Sequence, residues 1–116
     1  MKLSPEEIEQ VQVFDFIRSN PLISEISMHI ANERKCSPMR GRLLKRMGVL
    51  PGVSDIFIPK SANGFDGLWV ELKAGSNKTT PLQDKFIENM IREGYQAVTV
   101  NGAKDTIKLI TEFYSI

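Results

Sequence analysis

With a single cysteine, Cys36, the chain can close no internal disulfide and cannot assemble a cysteine-based zinc site, so any metal it holds must rest on oxygen ligands. His29 is the only histidine, which excludes a histidine pair as a metal-binding motif. No apolar run approaches the roughly 20 residues needed to cross a bilayer. The stretch from Met1 to Glu9 is acidic where a signal peptide would be basic and then apolar. These absences point to a protein of the cytosol, with no membrane partner. There is no surplus of charge of either sign: the formal net charge is +1, which neither favours nor disfavours nucleic acid as a partner. What remains is 116 residues, 41% hydrophobic and 25% charged, the composition of one globular domain spanning residues 1–116.

Proline and glycine punctuate the chain. Ser4-Pro5-Glu6-Glu7 reads as a helix start, with Ser4 as cap, Pro5 in the first turn and Glu7 closing a capping box; the helix runs to about Arg18. Its apolar stripe is expected at Ile8, Val11, Phe14 or Asp15, and Ile17 or Arg18. Ile26, Met28 and Ile30 alternate with polar residues as a short strand. Ser37-Pro38 repeats the cap signal ahead of a basic helix that ends near Met47-Gly48. Val53 to Ile58 and Gly67 to Ala74 read as two strands joined by a polar hairpin. Thr80-Pro81 starts a third helix, with Phe86, Met90 and Ile87 or Ile91 as its core stripe, ending at Gly94. Tyr95 to Val100 is a strand, and Ala103 to Tyr114 a closing helix with Ile107, Ile110 and Phe113 or Tyr114 inward. The order describes an α/β domain, a mixed central sheet flanked by helices.

Charge is unevenly distributed. Arg34, Lys35, Arg40, Arg42, Lys45 and Arg46 fall in one stretch, and no acidic residue follows until Asp55. Such a patch suits phosphate contacts; the alternative is a solvated helix face.

The chemistry concentrates on the two central strands. Asp55 is expected inside an apolar strand, where an ionised carboxylate is costly unless it is paired or holds a metal. Glu71 and Lys73 are two residues apart and project from the same face of the next strand. If the two strands are neighbours, two carboxylates and an ammonium converge, a set suited to Mg²⁺ together with water and substrate phosphate. The alternative reading is a solvated strand face. Trp69 shares that face, either stacking on a base or packing over the sheet. Cys36 lacks the companions of a catalytic nucleophile.

Gly52-Val53-Ser54-Asp55, a hairpin, Glu71-Leu72-Lys73, then Thr80-Pro81-Leu82-Gln83 and Gly94-Tyr95 together resemble the VRR-NUC domain, a branch of the PD-(D/E)XK nuclease superfamily, in its stand-alone, mostly viral form. The resemblance spans nearly the whole chain and implies a restriction-endonuclease-like core. It implies that Asp55 and Glu71 bind Mg²⁺ or Mn²⁺, that Lys73 assists hydrolysis, and that Gln83 completes the catalytic set in support. A glutamate followed four residues later by a glutamine is expected on the first helix. Glu6 and Gln10 have that spacing, which makes Glu6 a further metal ligand; Glu9 is the alternative, while Glu7 is explained by the capping box. Asn32 and Arg34 match a polar turn beside the phosphate backbone, with Arg40, Arg42, Lys45 and Arg46 extending the nucleic-acid contact. His29 reads as a strand residue near the site edge. The activity implied is metal-dependent DNA endonuclease, specific for shape such as a flap or four-way (Holliday) junction rather than for sequence, and acting as a homodimer. The alternatives are a non-cleaving module that binds branched nucleic acid and a nuclease subunit directed by a partner protein.

Overall fold

The computed structural model describes residues 1–31 and 36–116. Four strands form one mixed sheet in the order β1 (Met28–His29), β2 (Ile56–Ile58), β3 (Leu68–Lys73) and β4 (Gln96–Asn101), with the first two pairings antiparallel and the last parallel. Four helices accompany them: α1 (Pro5–Ser19), α2 (Pro38–Arg46), α3 (Pro81–Arg92) and α4 (Ala103–Tyr114).

Local chemistry accounts for the helix starts. Ser4 and Glu7 exchange hydrogen bonds at 3.1 and 2.7 Å, and Thr80 and Gln83 do the same at 3.3 and 2.9 Å, so both helices open on a capping box followed by proline. Ser37 caps α2 through Arg40 N–H. Gly48 and Gly94 follow α2 and α3 with positive φ, the conformation that ends a helix without a Cβ penalty.

The alternation of β3 divides the sheet. Leu68, Val70 and Leu72 join Ile56 and Ile58 on one face, beneath Val13 and Ile17 of α1 and Ala103, Ile110, Phe113 and Tyr114 of α4. Trp69, Glu71 and Lys73 point to the opposite face, where α3 lies: Phe57 stacks on Trp69 at 4.1 Å between ring centroids, and Phe86 of α3 meets Trp69 edge-on at 4.9 Å. Trp69 is therefore a packed aromatic that carries α3.

The structure departs from expectation at several points. β1 is two residues long, because residues 21–26 form a succession of turns that take Ile26 out of the strand. β2 begins at Ile56, so Asp55 lies in a bend immediately before the strand. In α1 the buried positions are Val13 and Ile17, whereas Ile8 and Val11 are exposed. That helix has apolar residues around much of its circumference, so its own periodicity does not select a face; packing against α4 and β3 does. The inward face runs Glu6, Gln10, Val13, Ile17, and its polar end reaches the site. In α3, Phe86 is buried while Ile91 is exposed; in α4, Thr106 is buried along with the expected Ile110, Phe113 and Tyr114. Among the described residues no helix is long and apolar enough to cross a membrane.

Candidate active site

Asp55, Glu71 and Lys73 are brought together on the α3 face of the sheet. All three are buried, with exposures of 8%, 1% and 6%, an unusual depth for charged side chains that requires compensation by neighbours. Ile56 pairs with Val70, which sets the residue before β2 beside the next turn of β3. Asp55 Oδ2 accepts the Leu72 N–H at 2.9 Å, clamping the carboxylate against the strand that carries Glu71. Lys73 Nζ stands 3.5 Å from Glu71 Oε2, and the Gln83 side-chain amide donates to the same oxygen at 3.4 Å. Glu71 Oε1 is buried and has no hydrogen-bond partner among the described residues.

Burial, reinforced by the adjacent Asp55 carboxylate, pushes the Glu71 carboxyl up to about 8, with Lys73 opposing the shift. Two carboxylates in one low-dielectric site accommodate a second negative charge only when something positive arrives. A proton serves that purpose without ligands; a hard divalent cation serves it better, since both residues offer oxygen donors and one oxygen is unsatisfied. Among the described residues no three acidic, histidine or cysteine side chains form a ready-made metal cage. The donor set thus fits Mg²⁺ or Mn²⁺, ions content with one or two carboxylates plus water and phosphate, and does not suit a fully protein-ligated ion.

Asp55 is the point where two clefts meet. One, of about 460 Å³, lies against α1 and is lined by Glu6, Gln10, His29 and Leu72 as well as Asp55. The other, of about 500 Å³, runs between α2 and the start of α3 and is lined by Lys45, Gly52, Lys73, Thr80 and Gln83 in addition to Asp55. The first is bordered by acidic side chains, the second by ammonium groups.

The first helix resolves its three glutamates by geometry. Glu7 closes the capping box with Ser4, whose hydrogen bonds hold its carboxyl below the usual range. Glu9 Oε2 accepts the Ala103 N–H at 2.6 Å and so caps α4, whose cap residue Gly102 has no side chain to do it. Glu6 and Glu7 both line the cleft with Asp55; Glu7 is engaged in the cap, and Glu6 lies beside Gln10, whose Nε2 is buried with no partner among the described residues.

His29 sits nearer to the chemistry than a strand-edge position requires. Its Nδ1 lies 2.8 Å from the Asp55 carbonyl oxygen. A carbonyl only accepts, so Nδ1 carries the proton and Nε2 is left for the cleft. The signal in the sequence was no more than a lone histidine on an edge strand; the pairing of β1 with β2 supplies the proximity.

Arg40, Arg42, Lys45 and Arg46 are all exposed on α2, and no residue of that helix is buried; Lys45 reaches the wall of the second cleft. Asn32 and Arg34 lie outside the described residues. Cys36 is exposed and unbridged.

Comparison with known proteins returns no matching family model and no matching curated protein. Among solved structures, one described as "VRR_NUC domain protein" is similar to this chain with a TM-score of 0.82 and 28% sequence identity, over 99% of this chain and 92% of that one.

Proposed function

Since the chain carries a VRR-NUC domain fold of restriction-endonuclease-like class, we propose that it is a metal-dependent DNA endonuclease. The observation that carries the reading is the buried convergence of Glu71 and Lys73 with Asp55, which itself lines both clefts, with one Glu71 oxygen unsatisfied. A fold match by itself leaves chemistry open, and this constellation is what chemistry would need.

In the reaction, water attacks phosphorus and the P–O3′ bond breaks, leaving a 5′-phosphate and a 3′-hydroxyl. Asp55 and Glu71 would hold Mg²⁺ or Mn²⁺, which would supply charge neutralisation at the phosphodiester and ease deprotonation of the attacking water, with Glu6 lining the cleft beside Asp55 rather than completing a three-carboxylate cage. Leu72 N–H fixes the rotamer of Asp55, and Gln83 with Lys73 engages Glu71 Oε2, which holds the carboxylate in place with Oε1 uncommitted. Lys73, nearly dry, offers its ammonium to the charge that builds on the phosphate oxygens, where low dielectric strengthens the interaction. Arg40, Arg42, Lys45 and Arg46 grip flanking phosphates and contribute affinity without reading bases.

We further infer that branched DNA, a four-way junction above all, is preferred over linear duplex and that the active species is a homodimer. Phosphate contacts carry no sequence information, so choice falls to shape, and two sites at a fixed separation provide a measure of shape. Met39, Leu43, Met47 and Leu50, of α2 and its exit, are exposed at 73%, 46%, 68% and 57% and are the residues on which we place self-association. Incubation of the chain and of Asp55→Asn with linear, flap and four-way DNA, with Mg²⁺, Mn²⁺ or chelator, tests the reading. Cation-dependent cutting by the wild type alone is expected; cutting that survives chelation or Asp55→Asn would refute it, and binding without cutting would favour the non-cleaving module.

A further inference from the structure

We propose that Gly52 and Thr80 are positioning residues, which together hold the first turn of α3 where the Gln83 amide can reach Glu71. The inference rests on the nuclease reading only for its activity readout.

Gly52 has φ +88 and lies against the start of α3. A Cβ at this position would stand 2.5 Å from the Leu82 carbonyl oxygen, 2.6 Å from its carbon and 3.0 Å from Gln83 N. Those are backbone atoms in a hydrogen-bonded helical turn, with no torsion by which to swing aside. Restoring ordinary contact moves the turn, and Gln83 with it, outward by roughly 1 Å.

Thr80 acts from the other side. Its Oγ1 accepts the Gln83 N–H at 3.3 Å, and its own N–H donates to Gln83 Oε1 at 2.9 Å. That second bond commits the carbonyl end of the Gln83 amide to the cap, which leaves the NH₂ end to face Glu71 Oε2 at 3.4 Å. The contact is already near the outer limit of a hydrogen bond, so an outward shift of roughly 1 Å breaks it. Glu71 then loses one of the two groups on Oε2, and its carboxylate is held less firmly.

Gly64 is the control. It has φ +81 at the tip of the β2–β3 hairpin, yet a Cβ there meets nothing within 4 Å. Gly64→Ala therefore measures the backbone effect of leaving glycine at a positive φ without any push on α3.

The test compares Gly52→Ala, Thr80→Ala, Gln83→Ala, the two double variants with Gln83→Ala, and Gly64→Ala. A misplacement of this size corresponds to a loss of about 10²-fold in turnover, so Gly52→Ala is expected to lower kcat by that order with KM within about twofold. Thr80→Ala should lower kcat less, by about 10-fold, because it removes the Oγ1 cap on the Gln83 N–H and loosens the first turn, while the backbone N–H at position 80 still donates to Gln83 Oε1. In the Gln83→Ala background neither change should reduce kcat further. Two readouts need no turnover: Mn²⁺ affinity by calorimetry should fall by the same factor in Gly52→Ala and Gln83→Ala, and the Gln83 side-chain amide resonances of the metal-free protein should shift in Gly52→Ala and Thr80→Ala but not in Gly64→Ala. Losses that multiply with Gln83→Ala, or Gln83 resonances in Gly52→Ala that match the wild type, would overturn the proposal. Should Gly52→Ala fail to fold, Thr80→Ala carries the same cycle. Should the wild type cut no DNA, the nuclease reading fails, and Mn²⁺ affinity with the amide resonances still decides the positioning role.

Discussion

Glu71→Gln should make the metal-free protein more stable at alkaline pH, even though it removes a residue from the heart of the site. The Glu71 carboxyl is raised from 4.5 to about 8 by burial and by Asp55. A group whose folded pKa lies above its unfolded value contributes stability that is complete below the unfolded value and is lost as pH rises through the folded one. Metal-free wild type should therefore lose stability between pH 4.5 and pH 8. At 1.36 kcal/mol for each unit, the ceiling is about 5 kcal/mol. Relaxation and water entry reduce such penalties, so a loss of about 2 kcal/mol is expected. For a domain of this size that corresponds to a Tm lower by roughly 8 °C. Gln83 and Lys73 can still donate to the glutamine oxygen while its NH₂ faces Asp55, so Glu71→Gln reproduces the protonated state and should lack this component. Scanning calorimetry in chelator from pH 5 to 8 provides the measurement, with the variant overtaking the wild type as pH rises. Added Mn²⁺ should restore the wild-type Tm at pH 8 and leave the variant unchanged, because the cation replaces the proton. Parallel pH profiles for the two proteins would refute the reasoning.

Asp55→Asn should abolish Mn²⁺ binding along with cleavage, whereas Lys73→Ala should lose cleavage by at least about 10²-fold and keep most of its Mn²⁺ affinity, a separation that calorimetric titration resolves. Neutralising Arg40, Arg42, Lys45 and Arg46 should weaken binding to all DNA and flatten the slope of log affinity against log salt by about 3 to 4, read by fluorescence anisotropy at several salt concentrations; an unchanged slope would leave α2 a solvated face. A mixed dimer of wild-type and Asp55→Asn chains should nick one strand of a four-way junction without resolving it, and equal cutting of junction and linear duplex by a sedimenting monomer would exclude the dimer reading. Leu43→Glu on α2 should shift sedimentation toward the monomer while leaving the fold intact, since Leu43 is 46% exposed on a helix with no buried residue.

The sequence by itself determined whatever depends on neighbours along the chain. The capping boxes at Ser4 and Thr80 and the prolines after them are closed by residues three positions away, so the starts of α1 and α3 could be read directly. The shared face of Glu71 and Lys73 follows from the two-residue repeat of a strand. Tertiary structure decided what depends on contacts far apart in the chain. Three glutamates within about one helical turn look alike in sequence; Glu9 was taken by an N–H at Ala103, 94 residues away, Glu7 by the cap at Ser4, and Glu6 lies in the cleft that α1 shares with β1 and the Asp55 bend. The inward face of α1 was chosen by α4 and β3, because a helix with apolar residues on most sides carries no preference of its own. Gly52 could be read as a turn glycine from its neighbours, but the reason no other residue fits is a carbonyl at Leu82, 30 positions away, and that distance exists only once the chain has folded.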